Sequence, residues 1–205
     1  MGVIGRDCKH GRIRQWLAPA VIAVFVTTGF WGAPAGAIEQ FTVADHPFWT
    51  IDEVRAGVFK QAIDDAPHEG TAALNLEVLG GRFPGGYENS ILNFLLTPRP
   101  DLGTTIAFGK TDEFYWGVTW DAKLFDRTFF EATFGGAAHD GPINELGHAS
   151  YGCVVNFREG ASLGYEFAPH LRVMAIIDHM SNAGLCNPNP NRGLTNAGIR
   201  LGYRW

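Results

Sequence analysis

Charge is scarce in this sequence. Asp, Glu, Lys and Arg together make 18% of its 205 residues, against about 25% in an average soluble domain. With 46% hydrophobic residues as well, a disordered chain and a bundle of charged-faced helices are both excluded. Long apolar runs are missing from residues 38–205. Since a membrane helix needs about 20 such residues, this part of the chain could cross a bilayer only with strands closed into a barrel. No group of His, Cys and carboxylates has zinc spacing, and no phosphate or calcium loop is present, so neither metal nor cofactor is expected. What the sequence does have is 26 Gly, 15 Phe, six Trp and five Tyr. Such a mixture suits short twisted strands whose large side chains find an apolar surrounding.

The first 37 residues read as a signal peptide. Arg6, Lys9, Arg12 and Arg14 form a basic head, Trp16 to Trp31 is uncharged and apolar, and Ala35-Gly36-Ala37 supplies the small residues of a cleavage site. The expected mature chain, 38–205, carries twelve basic and twenty acidic residues, a net charge of −8 with neutral His. Nucleic acid is therefore excluded as a partner. Of the three cysteines Cys8 leaves with the signal, and Cys153 and Cys186 remain as a pair in an oxidising compartment, where a disulfide is expected.

Ten-residue segments of alternating polarity, separated by turn residues, recur through 38–205. Strands are expected near 53–61, 71–79, 102–110, 113–122, 126–137, 157–168, 171–182 and 194–205. The segment 80–101 fits no such pattern, and its Ile91 to Leu96 run reads as a further strand or an interfacial piece. In the last strand Ala197, Ile199, Leu201, Tyr203 and Trp205 share one face, and Asn196, Gly198, Arg200, Gly202 and Arg204 the other. Alternation alone fits a soluble sandwich equally well. The aromatic end Tyr203-Arg204-Trp205 favours an outer-membrane barrel with an aromatic girdle, and glycines with ionic residues on the opposite face suit the filled interior of eight strands. The fold class is thus all-β, an eight-stranded antiparallel transmembrane barrel.

His179 and Ser181 lie two apart in the seventh strand, on the face that carries Leu171, Val173, Ala175 and Ile177. Imidazole and hydroxyl at this spacing can meet as base and nucleophile, and on a lipid-facing surface their substrate would be a lipid. Two polar residues just above the hydrocarbon edge would look the same.

The stretch Asp178-His179-Met180-Ser181-Asn182-Ala183-Gly184-Leu185, with Asn189, Gly193 and the terminal Gly198 to Trp205, resembles the lipid A 3-O-deacylase (PagL-type) family of outer-membrane enzymes. Pro98 to Gly103, Tyr115 to Trp120, Ala138 to Gly141 and Ser162 to Tyr165 resemble it too. The resemblance implies an eight-stranded barrel in the Gram-negative outer membrane whose Ser, His and Glu hydrolyse an ester-linked acyl chain of lipid A. It makes Ser181 the nucleophile and His179 the base, and places Asn182 and Gly184 in the region that stabilises the oxyanion. Lipid A, as lipopolysaccharide of the outer leaflet, is the implied partner. A non-catalytic barrel with a structural or adhesive role is the alternative.

The family Glu has no counterpart. Its position falls on Gly193, or on Leu194 or Thr195 when the preceding loop is longer, and no carboxylate follows Ser181. Thr195 has the right facing to orient His179 but no charge to offer. Hairpin parity suggests another acid. If Phe167 and Leu171 pair across the turn Ala168-Pro169-His170, then Tyr165 meets Val173, Leu163 meets Ala175, Ala161 meets Ile177, and Glu159 meets His179.

Overall fold

A computed structural model describes residues 46–64, 70–145, 148–186 and 189–205. The expected signal peptide, 1–37, lies outside the described residues. Eight strands run in chain order: β1 Ile51–Lys60, β2 Ala72–Gly80, β3 Arg99–Ala107, β4 Glu113–Phe125, β5 Thr128–His139, β6 Val155–Ala168, β7 Leu171–Ser181 and β8 Leu194–Arg204. Each is antiparallel to the next, and β1 pairs with β8 from Glu53↔Arg204 to Lys60↔Ala197, closing the barrel. Closure leaves no unpaired edge, which is the condition for strands to stand in hydrocarbon.

Alternation sorts the side chains as the sequence indicates. On β8, Ile199, Leu201 and Tyr203 are exposed on the outside, and Asn196, Arg200 and Gly202 are buried inside. Val58, Leu76, Leu102, Phe114, Leu163 and Ile177 continue the outer apolar surface on the other strands. In water such a surface would aggregate; in a bilayer it is solvated.

The interior is filled by paired charges and aromatic rings rather than left as a pore. Glu53 is its hub, accepting from Arg55 Nε at 2.7 Å, Arg99 Nη1 at 2.7 Å and Arg172 Nη1 at 2.9 Å. Arg55 also reaches Glu77 at 3.1 Å and Glu131 at 2.6 and 2.9 Å. The Arg158 guanidinium lies 3.7 Å from the centre of the Tyr115 ring, and that of Arg172 3.8 Å from the centre of the Phe129 ring. Buried charges persist in such numbers only when opposed and hydrogen-bonded. Gly164 leaves the space that the Phe129 ring occupies, because a Cβ there would overlap it.

The structure decides between two open alternatives and corrects one turn. The Ile91 to Leu96 run is no strand: Ser90–Leu96 forms a short helix, α1, capped by the Asn89 side chain, which accepts from Leu92 N at 2.9 Å. Its Ile91, Leu92, Leu95 and Leu96 are exposed, and the Trp120 indole donates to the Leu95 carbonyl at 3.0 Å. The β6–β7 turn is shorter than expected. Ala168 pairs with Leu171, and a bulge between Glu166 and Ala168 takes up the odd residue. From Tyr165↔Val173 to Glu159↔His179 the register is nevertheless the one that parity gives.

The connections divide between two ends. Residues 126–127 and 169–170 close tight turns at the end where β1 begins and β8 stops, and 81–98 with α1 lies there too. The links 61–71, 108–112, 140–154 and 182–193 gather at the other end, and β7 delivers His179 and Ser181 to it.

Candidate active site

His179 and Ser181 are half-buried on the outer face of β7, and Ser181 is the last residue of the strand. No hydrogen bond joins them among the described residues. The imidazole is instead fixed from β8. In the β7–β8 register His179 faces Thr195, and His179 Nδ1 lies 2.8 Å from Thr195 Oγ1. Thr195 in turn donates to Asp64 Oδ2 at 2.9 Å.

Asp64 follows the end of β1, and its place is set by its neighbours. Ala62 turns the chain with a left-handed φ of 55°. Gln61 donates its backbone N–H to Thr71 O at 2.8 Å and its side-chain amide to Thr111 O at 2.7 Å. Ile63 N–H then donates to the Thr195 carbonyl at 2.9 Å. Thr195 therefore holds this loop through both its main chain and its hydroxyl.

Glu159 stands opposite His179 on β6, as parity predicts, but its carboxylate forms no ion pair or hydrogen bond with the imidazole among the described residues. Nδ1 is engaged by Thr195 on the other neighbouring strand. The other edge of the ring lies against Gly193, which has a φ of +67°. A Cβ there would sit 2.6 Å from His179 Cε1 and 3.0 Å from Nε2. Glycine at this position thus serves both the backbone turn and the close approach of the imidazole.

The turn after Ser181 is tied inward. Asn182 is buried, its side-chain amide donating to Tyr151 O at 2.8 Å and its Oδ1 accepting from Gly184 N at 2.7 Å. Asn182 N donates to Asn191 Oδ1 at 3.1 Å. The backbone N–H groups of Asn182 and Gly184, the two residues expected near the oxyanion, are therefore both engaged. Ala183 lies between them with a φ of 51°, and its N–H has no acceptor among the described residues. Cys153 and Cys186 are joined, their Cα atoms 5.9 Å apart. Asn189 Nδ2 to Gly152 O at 3.0 Å and Arg192 N to Ser150 O at 3.1 Å complete the stitching of loop 182–193 to loop 140–154.

The sequence reading anticipated His179, Ser181, Thr195 and Glu159 on one face. It had no means of bringing Asp64 there, since that residue sits in a turn-rich stretch 131 residues before Thr195. Only the closure register of β1 on β8 signals the encounter. Among the described residues no group of three or more His, Cys, Asp or Glu could hold a metal ion.

Comparison with known proteins meets the sequence resemblance from two sides. Residues 113–204 match the family model described as lipid A 3-O-deacylase (PagL). No curated protein matches. The fold is similar to the crystal structure of the outer membrane enzyme PagL, at 20% identity and a TM-score of 0.57, covering 75% of this chain and 99% of that one. De novo designed transmembrane β-barrels, at 12% identity and a TM-score of 0.46, cover 76% of this chain and 95% of theirs. Ail of Yersinia pestis, at 13% identity and a TM-score of 0.42, covers 76% of this chain and 100% of its own. The chain is a closed eight-stranded antiparallel β-barrel similar in architecture to PagL.

Proposed function

We propose that this barrel, PagL-type by the family match over residues 113–204 and by its fold, is a serine esterase that removes an ester-linked acyl chain from lipid A. The observation that carries the reading is the imidazole of His179, fixed at Nδ1 on the lipid-facing rim with Ser181 two residues along the same face. Long loops of outer-membrane barrels face outward from the cell and tight turns face the periplasm, which puts this rim level with the outer leaflet.

Ser181 Oγ attacks the ester carbonyl while its proton passes to His179 Nε2. An Oγ–C bond forms, the bond to the sugar oxygen breaks, and His179 returns the proton to the departing alkoxide. Water, deprotonated by the same nitrogen, then bonds to the acyl carbon, the Oγ–C bond breaks, and His179 returns the proton to Ser181 Oγ as the fatty acid leaves. The tetrahedral oxyanion falls to the 182–184 turn, where the Ala183 N–H is the uncommitted donor. No residue in this scheme calls for a cofactor.

The test is mass spectrometry of lipid A from outer membranes with and without the protein, run beside Ser181→Ala. Loss of one acyl chain with the wild type and none with Ser181→Ala is expected. An unchanged acyl pattern in both, with the barrel correctly inserted, overturns the reading in favour of a non-catalytic envelope barrel.

A further inference from the structure

The reading above leaves the imidazole without an acid, and the structure assigns that task to a residue on the opposite margin of the chain. We propose that Asp64 is a positioning residue for this esterase, acting on His179 through the Thr195 hydroxyl. The inference rests on the assignment of His179 and Ser181 as base and nucleophile.

A hydroxyl has one proton to give, and an ionised carboxylate only accepts. The Thr195 proton is directed to Asp64 Oδ2, 2.9 Å away. What Thr195 Oγ1 presents to His179 Nδ1, 2.8 Å away, is then a lone pair, and that contact is a hydrogen bond only if Nδ1 carries the hydrogen. Neutral imidazole has a single N–H, so Nε2 is left with its lone pair, and Nε2 is the atom that must take the Ser181 proton. With the carboxylate removed, the hydroxyl is free to donate to Nδ1 instead. That exchange favours the tautomer protonated at Nε2, which cannot act as the base. Chained bonds of this kind also polarise one another, so the Asp64 charge favours the imidazolium that forms during attack.

The relay is built in rather than casual. The chain just before Asp64 is pinned to the same threonine by Ile63 N–H on the Thr195 carbonyl at 2.9 Å, after the left-handed turn at Ala62. Glu159, the other carboxylate facing His179, makes no bond to it among the described residues.

The experiment uses the full-length barrel in detergent with purified lipopolysaccharide as substrate. Asp64→Ala, which leaves Thr195 no acceptor there, and Thr195→Val should each lower kcat by about 10–100-fold with KM within about twofold, less than the loss from a directly bonded triad acid. The double variant should fall no further than either one, because the two groups act in series. Thr195→Ser, which keeps the hydroxyl, should retain most activity. Asp64→Ala combined with Thr195→Glu should regain activity, since a carboxylate then meets Nδ1 directly. A loop tether without a role in protonation would not be rescued in this way. Nitrogen NMR of the imidazole, measured in Ser181→Ala protein, should report the Nδ1–H tautomer and its loss on adding Asp64→Ala. Wild-type kcat and an unchanged tautomer in Asp64→Ala overturn the inference while Ser181-dependent hydrolysis leaves the esterase reading standing. A wild-type protein with no Ser181-dependent hydrolysis overturns both.

Discussion

Gly193→Ala tests the site by the smallest change available, one methyl group. The residue has a φ of +67°, where a β-carbon costs about 1–2 kcal/mol through its clash with the following carbonyl. The added carbon would lie 2.6 Å from His179 Cε1 and 3.0 Å from Nε2, whereas carbon atoms rest about 3.5–4.0 Å apart. Roughly 1 Å must be found, and only two movements supply it. Either the imidazole swings away and lengthens its bond to Thr195, or the entry of β8 shifts and carries Thr195 with it. Both dislodge the ring, and the methyl also crowds Nε2, the nitrogen that must face Ser181. A misplacement of about 1 Å at a reacting group costs on the order of 100-fold in rate. Turnover of lipopolysaccharide by the purified variant should accordingly fall about 100-fold. Its heat-modifiable gel migration should stay that of a folded barrel, because the remaining strands are untouched. A Gly193→Ala protein that turns over like the wild type would refute the placement of His179 against this glycine.

The other predictions concern the interior, the loops and the unused carboxylate. Glu53→Gln should destabilise the barrel by about 3–5 kcal/mol, since three guanidinium groups lose their shared counter-charge; an unchanged unfolding midpoint in urea would contradict the hub. Replacing Cys153 and Cys186 by Ser should lower stability by about 2–4 kcal/mol and loosen the 182–193 loop. Limited proteolysis of that loop is the direct check, and equal cleavage with and without the bridge would count against its role. Glu159→Gln should leave kcat within about twofold, since the carboxylate makes no bond to the imidazole; a deep loss would restore it as the acid.

Strand period, facing and pairing were legible because the side-chain alternation of a strand is rigid: once the turn pairs Leu163 with Ala175, Glu159 must meet His179. Register fixes which residues are neighbours, but not which neighbour a side chain chooses. His179 has Glu159 on one flank and Thr195 on the other, and its bond goes to the uncharged one. That choice depends on rotamer and on Asp64, which no local pattern links to β8. The helix at Ser90–Leu96 was missed for a different reason. Seven residues give too little sequence to tell a helical period from a strand of apolar residues, and the Asn89 cap was the signal that could have decided it. The Phe167 bulge escaped because a turn one residue shorter with one residue bulged yields the same register as the turn expected.

The contact between Thr195 and Asp64 crosses the seam where the first strand meets the last. No subset of consecutive strands contains it: a chain with seven strands paired has His179 and Ser181 in order but lacks one shore of the relay. Closure of the cylinder is therefore also the moment at which the imidazole acquires its carboxylate. In the proposed relay, the histidine and serine that β7 supplies by itself gain their carboxylate only across the seam between the first and last strands.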